Sequence, residues 1–425
     1  MKKTALPLTT ISILLLAFFF SPACSGPRTG DEDKAGEPEK EVAVETQSTD
    51  HQPQSAKPVQ TGKTINVYIE NSGSMYGYVG VGGSDLRNTV YNYLTDVKLS
   101  KCFGSMGLNF VNSKVIPQGS AVDDFVKKLE PNTFKVAGGN HGTTDIAEIF
   151  KRVYPQQNNS TTVLVSDCII SPGKGHNAAE YLVNQQTGIK GFLGQKNLKN
   201  TGVIIYRMLG QFKGPYYNHV DEKKPYQGIR PYYIWVIGDI QQLKQMKTVV
   251  EPKMKTKPDE MCVISTISPD QKYNIVPGGG KYNISRQDRF TIEKLKKMKT
   301  AQGDRAVIKL SADYSKMLQD DAYLTDVSNY EVSDKSFTVD RIVKTTAGNY
   351  SITISSPVVK KGTVCVRLKN KLPQWVDKCS DTDGGFPDPN KKHQTTYGLA
   401  YLIGGVYDAY TFKGDNLAEM KITIK

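Results

Sequence analysis

Hydrophobic residues follow two alternating spacings between residues 62 and 255. Short apolar runs predict β-strands, and they cover Ile65–Ile69, Leu108–Val111, Thr161–Ser166, Val203–Tyr206 and Ile234–Ile237. Between them, apolar residues recur every three or four positions and predict helices, for example at Leu86–Val97, Ile146–Val153 and Ala178–Gln195. The alternation of strand and helix patterns predicts an α/β fold for this part of the chain.

The pattern changes after the Pro-punctuated segment Pro252–Pro258. Most apolar runs beyond it have a period of two, and they lie at Met261–Ile267, Ala306–Leu310, Ser336–Val343, Tyr350–Ile354, Thr363–Leu368 and Met420–Ile424. Two helical stretches, 287–298 and Tyr397–Tyr407, interrupt them. We therefore predict a second, mainly β domain over residues 256–425, of the kind found in immunoglobulin-like sandwiches.

The long segment Gly210–Pro231 separates two of the predicted strands in the first domain. It contains Tyr216, Tyr217, Tyr226 and several lysines, and it is long for a connection between a strand and a helix. Tyrosines and lysines together suit a recognition surface. An insertion that packs on its own domain is an equally valid interpretation.

The first 24 residues have the features of a signal peptide. Lys2 and Lys3 precede the apolar segment Ile11–Phe20, which is too short to span a bilayer. Ser21-Pro22-Ala23-Cys24 resembles a bacterial lipobox, with Ser21 in place of the usual Leu. The resemblance implies acylation of Cys24 and a lipid anchor in a membrane of the bacterial cell envelope, periplasmic or surface-facing. The alternative is a secretory signal that is cleaved near Ala23.

Residues 25–61 are rich in Pro, Gly, Ser, Gln and Glu and poor in large apolar side chains. Such a segment buries too little surface to fold, so we interpret it as a disordered tether. The tether is acidic, whereas the whole chain carries a net charge of +13, so the folded part is strongly basic. A basic surface favours acidic partners. Nucleic acid is not expected as a partner because the chain is predicted to leave the cytoplasm.

Residues 70–75 carry the clearest candidate chemistry. The first predicted strand ends at Glu70, and a polar loop with Ser72 and Ser74 follows. Open α/β sheets bind ligands at the carboxyl ends of their strands. One carboxylate and two hydroxyl groups on a short loop suit a hard divalent cation.

Three segments together resemble the von Willebrand factor A (VWA) family. Glu70-Asn71-Ser72-Gly73-Ser74-Met75 is similar to its first motif, Asp-x-Ser-x-Ser, with Glu70 in place of Asp. Thr144 in the Gly-rich loop before Ile146 is similar to the second motif; Thr143 is a close alternative, and either residue is also a good helix N-cap. Asp167 follows Thr161–Ser166 as in the third motif, although Cys168 replaces the usual Gly.

The resemblance implies that residues 62–255 form a VWA domain with a Rossmann-like, doubly wound, mainly parallel sheet. It also implies a metal-ion-dependent adhesion site, in which Ser72, Ser74 and Thr144 reach Mg²⁺ or Mn²⁺ directly or through water. Glu70 and Asp167 would supply negative charge. An acidic residue of a protein partner would complete the coordination, so the implied function is adhesion and not catalysis.

Two other functions are compatible with the residues. The first is an envelope hydrolase with Ser72 or Ser74 as nucleophile, activated by His141 or His176, although the sequence contains no nucleophile-elbow motif. The second is a degenerate, metal-free VWA domain that serves as a scaffold in an envelope complex.

The cysteines allow one disulfide prediction. Cys365 and Cys379 are close in sequence within the predicted β region, and export from the cytoplasm permits a bond between them. Cys168 lies beside Asp167, but no recognisable motif pairs it with a histidine, so we expect it to pack under the sheet.

Overall fold

The structure is a computed structural model that describes residues 62–80, 84–142, 145–155, 159–266, 271–391 and 394–425. The predicted signal peptide 1–24 with its lipidation residue Cys24, and the predicted tether 25–61, lie outside the described residues. Thr143 and Thr144 lie outside them as well.

Strands and helices alternate in the first half of the described chain. The strands are β1 (Thr64–Glu70), β2 (Ser105–Val111), β3 (Val115–Gly119), β4 (Ser160–Ser166), β5 (Thr201–Tyr217), β6 (Lys223–Asp239) and β7 (Glu260–Ser265). The helices are α1 (Tyr76–Val79), α2 (Asp85–Ser100), α3 (Val122–Lys127), α4 (Pro131–Phe134), α5 (Ile146–Val153), α6 (Ala178–Gly194) and α7 (Ile240–Val249). A 3-10 turn, Gly73–Met75, lies between β1 and α1.

These strands form the first sheet, which is mixed. Within the described residues it has seven strands in the order β3-β2-β1-β4-β6-β5-β7. β1 lies parallel to β2 on one side and to β4 on the other. The pairs β2–β3, β4–β6, β5–β6 and β5–β7 are antiparallel. The expectation of a mainly parallel sheet is therefore corrected to a parallel centre with antiparallel flanks.

The antiparallel half arises because residues 201–239 form a long hairpin, where the sequence pattern predicted two short strands and a loop. β5 and β6 are each 17 residues long. They remain paired along their whole length, from Thr201 opposite Asp239 to Tyr217 opposite Lys223. Residues 208–217 and 223–232 extend beyond the segments of β4 and β7 that flank the hairpin. We call this part the hairpin arm. It is a two-stranded ribbon with free edges, which is why it tolerates the prolines that suggested a loop.

Apolar side chains alternate between the two faces of the first sheet, and helices cover both. On one face, Ile65 and Val67 pack with α2, α3 and α7. On the other, Leu164 and Trp235 pack with α5 and α6. The first half of the described chain is thus a three-layer α/β structure, in agreement with the predicted α/β class.

Most of the remaining strands form a second, mostly β layer. The strands after β7 are β8 (Tyr273–Ile275), β9 (Lys281–Ile284), β10 (Thr291–Thr300), β11 (Gly303–Ala312), β12 (Tyr330–Val332), β13 (Thr338–Lys344), β14 (Tyr350–Ser356), β15 (Gly362–Lys369), β16 (Ser380–Asp381), β17 (Thr396–Tyr397) and β18 (Asn416–Ile424). Within the described residues, β16 and β17 pair only with each other, as a small separate sheet. Three helices lie among them: α8 (Asp321–Thr325), α9 (Trp375–Lys378) and α10 (Leu399–Tyr410). Two further 3-10 turns in the described chain are Glu251–Lys253 and Val327–Asn329.

The second sheet is a single, nearly closed sheet instead of the two sheets of an immunoglobulin-like sandwich. As far as the structure describes the chain, it has nine strands, of which seven follow the order β12-β15-β18-β10-β11-β14-β13. β8 pairs with β11, and β9 pairs with β10. The edge strands β12 and β13 also lie against each other. β10 occupies residues predicted to be helical, because Ile292 and Leu295 are buried in the sheet despite the lysines around them.

Several segments beyond residue 255 belong to the first layer, among them β7, α10 and the region of α9. β7 pairs with β5 at the edge of the first sheet. The predicted helix near Tyr397–Tyr407 is present as α10, and it packs against α6 with Leu402, Ile403 and Val406 buried. The chain therefore leaves the first layer after β7, builds most of the second sheet, and returns for α10 before β18.

The predicted disulfide between Cys365 and Cys379 is absent, and both thiols are free and buried. Cys365 lies on β15 in the second sheet, whereas Cys379 follows α9 and packs in the core around Trp375 and Tyr397. Their closeness in sequence does not bring them together because they belong to different layers.

No helix in the part of the chain that the structure describes is both long enough and apolar enough to cross a membrane.

Candidate functional site

Two carboxylates meet at the edge of the first sheet where its parallel strands end. Glu70 is the last residue of β1, and Asp167 directly follows β4. β1 and β4 are parallel neighbours, with Ile69 paired to Val165, so their carboxyl ends lie side by side. The 3-10 turn after β1 brings Ser72 and Ser74 to the same place, with 2.9 Å between their Oγ atoms. The structure thus gathers four of the five predicted metal ligands; Thr144, the fifth, is not described.

Glu70 is almost completely buried, with 3% of its surface exposed. Burial and the neighbouring Asp167 raise the pKa of Glu70 to about 8, while hydrogen bonds from Ser166 and Ser72 act in the opposite direction. The Ser166 hydroxyl donates to Glu70 Oε2 and accepts from the backbone N–H of Cys168 at 2.8 Å. Ser166 therefore links the ends of β1 and β4.

Asp167 is also buried, with 1% of its surface exposed. Its Oδ1 accepts a hydrogen bond from the backbone N–H of Ile169 at 3.2 Å. Its Oδ2 has no hydrogen-bond partner among the described residues. Burial raises the pKa of Asp167, and the Ile169 N–H, the Ser74 hydroxyl and the Arg230 guanidinium partly oppose this effect.

His141 fixes the loop that carries the serines. Its Nδ1 lies 2.6 Å from the carbonyl oxygen of Asn71, and its own carbonyl accepts from the N–H of Gly73 at 2.8 Å. Asn112 adds a bond from Nδ2 to the side-chain oxygen of Asn71 at 3.0 Å. These bonds hold the Gly-rich loop 138–142 against the loop after β1, so His141 has a positioning role that its place in the sequence did not indicate.

The described structure shows no hydrogen bond between a histidine and either serine of the site. Ser72 and Ser74 are hydrogen-bonded to each other, and neither bonds a histidine in the described structure. The Nδ1 of His141 faces the Asn71 carbonyl, and its buried Nε2 has no described partner. The ring of His176 contacts Tyr181 at the start of α6.

The hairpin arm packs against one side of the site. Its Phe212 packs against α1, where a Cβ added to Gly77 would lie 2.2 Å from the Phe212 ring. The Tyr217 ring lies close to Gly73 in the turn between the two serines. From the other strand, Arg230 contributes a buried positive charge near Asp167. The predicted loop is therefore a hairpin that supports the turn of the site, and Ser74 remains partly exposed beside it.

The residues fit a hard divalent cation in chemical type. The site combines two carboxylates and two hydroxyl groups, and all four supply oxygen ligands. Asp167 Oδ2 has no partner among the described residues, and burial raises the pKa of both carboxyl groups, so a bound cation would find oxygen ligands whose charge is poorly compensated. The described residues contain no cluster of three or more His, Cys, Asp or Glu side chains suited to a metal. Coordination here would therefore rely on hydroxyl groups and water.

Sequence reasoning missed Ser166 and Arg230 as parts of this site, and it considered His141 only as an activator of a serine and not as a residue that positions the loop. Ser166 directly precedes Asp167, so its place at the end of β4 was the only signal for it. Nothing in the sequence pattern indicated that Arg230 would be buried, because its predicted loop is a strand in the structure.

Comparisons of the sequence with protein-family models and with curated proteins find no match, and a comparison with solved structures finds none either.

Proposed function

We propose that this protein binds a divalent cation, Mg²⁺ or Mn²⁺, at Glu70, Ser72, Ser74 and Asp167, and that the cation mediates binding to a protein partner with an acidic residue. Thr144 is included in the proposed ligand set on the motif alone. When bound, the cation would attract the partner's carboxylate. The protein would act as an adhesion or binding module of the VWA type and not as an enzyme.

The observation that carries the proposal is the convergence of two buried carboxylates that have no cationic side chain within ion-pair distance among the described residues. Burying two negative charges together is unfavourable unless a positive charge or a proton compensates them. The vacant hydrogen-bonding capacity of Asp167 Oδ2 adds to this imbalance. A divalent cation would remove it, and the adjacent serine hydroxyls are suitable ligands.

The proposal includes attachment to a bacterial envelope membrane through an acylated Cys24. This part rests on the sequence of residues 1–24 alone.

The first test is titration calorimetry of the full chain with Mg²⁺ and with Mn²⁺. We expect saturable binding to the wild type and at least about tenfold weaker binding to a Ser72→Ala/Ser74→Ala variant, because two oxygen ligands are lost. The matched control is Ser315→Ala/Ser328→Ala, which removes two exposed hydroxyl groups outside the site. Equal affinity in wild type and in the Ser72/Ser74 variant would refute the site.

A second candidate function is a metal-free scaffold, and one observation favours it. The Ser166 hydroxyl already bonds Glu70, and a pKa of about 8 keeps that carboxyl group largely protonated at neutral pH. A proton on Glu70 would then replace the cation. This alternative predicts no saturable binding of either cation to the wild type, so the same titration separates the two functions.

A further inference from the structure

Arg230 is a buried arginine that forms no ion pair with a carboxylate among the described residues, although Asp167 acts on it at longer range. It lies on β6 with 1% of its surface exposed. Its guanidinium stacks over the Tyr216 ring at 4.8 Å, and Nη1 donates one long hydrogen bond of 3.4 Å to Gln394 Oε1. No carboxylate of the described residues lies within ion-pair distance of it. By contrast, the other buried arginine of the hairpin, Arg207, forms an ion pair with Asp259.

This arrangement is costly without a further partner. Arginine remains charged at any physiological pH, so Arg230 cannot lose its charge on burial as a lysine can. An ionised side chain removed from water needs an opposite charge or a full set of hydrogen bonds. Stacking on Tyr216 compensates only part of that cost. The unused N–H donors of Arg230 are therefore available to an anion.

A cavity of about 220 Å³ adjoins Arg230. Arg230, Tyr216 and Gln394 form its buried part, and Phe386 contributes an apolar wall. Its lining also includes exposed residues, among them Lys391, so the cavity opens to solvent. It is small and concave, with a few polar groups on an aromatic surface, as expected of a site for one side chain or a small metabolite.

The charges around the cavity select the type of anion. Asp381, Asp383 and Asp388 also line it. Asp381 is already engaged, because its oxygens accept hydrogen bonds from the N–H of Gly384 and the hydroxyl of Thr395. These carboxylates would repel a doubly charged phosphate more strongly than a singly charged carboxylate. A planar carboxylate also matches the two-pronged geometry of a guanidinium group.

We infer that Arg230 and its cavity form a binding subsite for a carboxylate group. The group is supplied either by a small carboxylic acid or by an acidic side chain of a protein, and the chemistry of recognition is the same for both. The positive charge of the subsite belongs to the protein and not to the proposed cation, although Arg230 also interacts electrostatically with Asp167. The subsite is therefore tested in the presence of a chelator, which separates its failure from failure of the proposed function.

The test is titration calorimetry of the full chain in EDTA with three probes: acetate, a Gly-Glu-Gly peptide blocked at both ends, and inorganic phosphate. We expect saturable binding of a carboxylate probe and weaker binding of phosphate. Tighter binding of the peptide would assign the subsite to acidic side chains, and equal or tighter binding of acetate would assign it to small acids. Tighter binding of phosphate than of either carboxylate would overturn the inference.

Two variants locate the binding. Arg230→Lys keeps the charge but removes the paired donors, so carboxylate affinity should fall about tenfold or more. Gly385→Leu adds a side chain at the cavity lining, where a Cβ meets nothing within 4 Å, and should also weaken binding without altering Arg230. Lys299→Gln, a change of an exposed lysine on the second sheet, is the control and should have no effect.

Gly385→Leu decides the question if Arg230→Lys fails to fold. Carboxylate binding that is unchanged in every folded cavity variant would overturn the inference, because the probes would then bind elsewhere. Absence of saturable binding to the wild type would overturn it directly.

Discussion

Glu70 links the chemistry of the site to the stability of the protein. In the absence of a cation, the folded protein holds a proton on Glu70 up to a pKa of about 8, whereas the same side chain in the unfolded chain loses its proton near its ordinary value of 4.5. The folded state therefore binds more protons than the unfolded state between these two values. Stability falls with rising pH wherever the folded state binds more protons. The raised pKa of Asp167 acts in the same direction.

We expect the free energy of unfolding in EDTA to fall by a few kcal/mol, as an order of magnitude, as the pH rises from about 4.5 to about 8. Glu70→Gln replaces the carboxyl group with a neutral amide and should flatten most of this dependence. Urea unfolding at a series of pH values measures it. Glu130→Gln, which changes an exposed carboxylate, is the matched control and should keep the wild-type slope. A Glu70→Gln profile as steep as that of the wild type would contradict this account.

Cys168 shows what could be predicted at single positions and what could not. The sequence showed that the Gly expected after Asp167 is absent. The structure places Cys168 in the left-handed region with φ of 55°, a conformation that glycine adopts without strain. Cys168 therefore adopts this left-handed conformation where a glycine was expected. Its thiol accepts a hydrogen bond from Trp235 Nε1 at 3.3 Å. The expectation that Cys168 packs under the sheet is confirmed. Its left-handed backbone conformation could not be predicted from the sequence.

At the scale of elements, the contact between the hairpin arm and α1 holds the arm against one side of the site. Gly77 of α1 lies so close to the Phe212 ring that no larger residue fits without movement. Phe212 itself is 2% exposed and packs edge-to-face on Tyr78, with ring centroids 5.0 Å apart. The close approach holds the arm against the turn that carries Ser72 and Ser74.

Gly77→Ala should destabilise the protein by about 1–3 kcal/mol, because its methyl group would overlap the Phe212 ring. Urea unfolding measures the effect. In a Gly77→Ala/Phe212→Ala double variant the loss should be smaller than the sum of the two single losses, since the alanine at 212 leaves room for the methyl group. Additive losses would show that the two residues do not touch.

The control is Gly188→Ala in α6, where a Cβ meets nothing within 4 Å. This change should stabilise the protein by about 0.5–1 kcal/mol through helix propensity. Opposite changes in the free energy of unfolding for the two Gly-to-Ala substitutions would separate the steric effect from the effect of removing a glycine.

The sequence predicted most elements of the first layer but not their full pairing. β1, β2 and β4 and the helices beside them follow from hydrophobic spacing, which is a local property. The β5–β6 hairpin was missed because Gly210 and Pro231 are typical of loops and because pairing between strands is a long-range property. β10 was missed because its Lys and Glu residues favour a helix, whereas burial of Ile292 and Leu295 in the sheet decides its conformation.

At the scale of the whole molecule, α10 joins the two layers. The described residues belong to one compact unit that includes both sheets. α10 packs on α6 in the first layer, and β18, which follows it, pairs with β10 and β15 in the second sheet. This return could not be predicted from the sequence, because a helical pattern does not indicate which sheet the helix will cover. A disturbance in α10 should therefore spread to both sheets.

Gly405→Ala tests this coupling. A Cβ at Gly405 would lie 2.6 Å from the backbone oxygen of Gln186 in α6, so the two helices would have to separate. We expect faster amide hydrogen exchange, measured by mass spectrometry, in α6 and in β18 as well as in α10. Gly404→Ala is the control, because its Cβ would meet only the Gln186 side chain, which can move. Faster exchange confined to α10 would contradict the coupling.

The return of the chain to the first layer has a consequence for synthesis. A nascent chain that has emerged as far as residue 398 has already released the residues of both sheets except β18, but it has not yet released α10. Until then Ile189 and Leu193 of α6 lack the apolar helix that covers them in the finished protein. The first layer, although first in sequence, is therefore completed late. While its apolar surface is uncovered, the nascent chain is exposed to aggregation and can be protected by a chaperone.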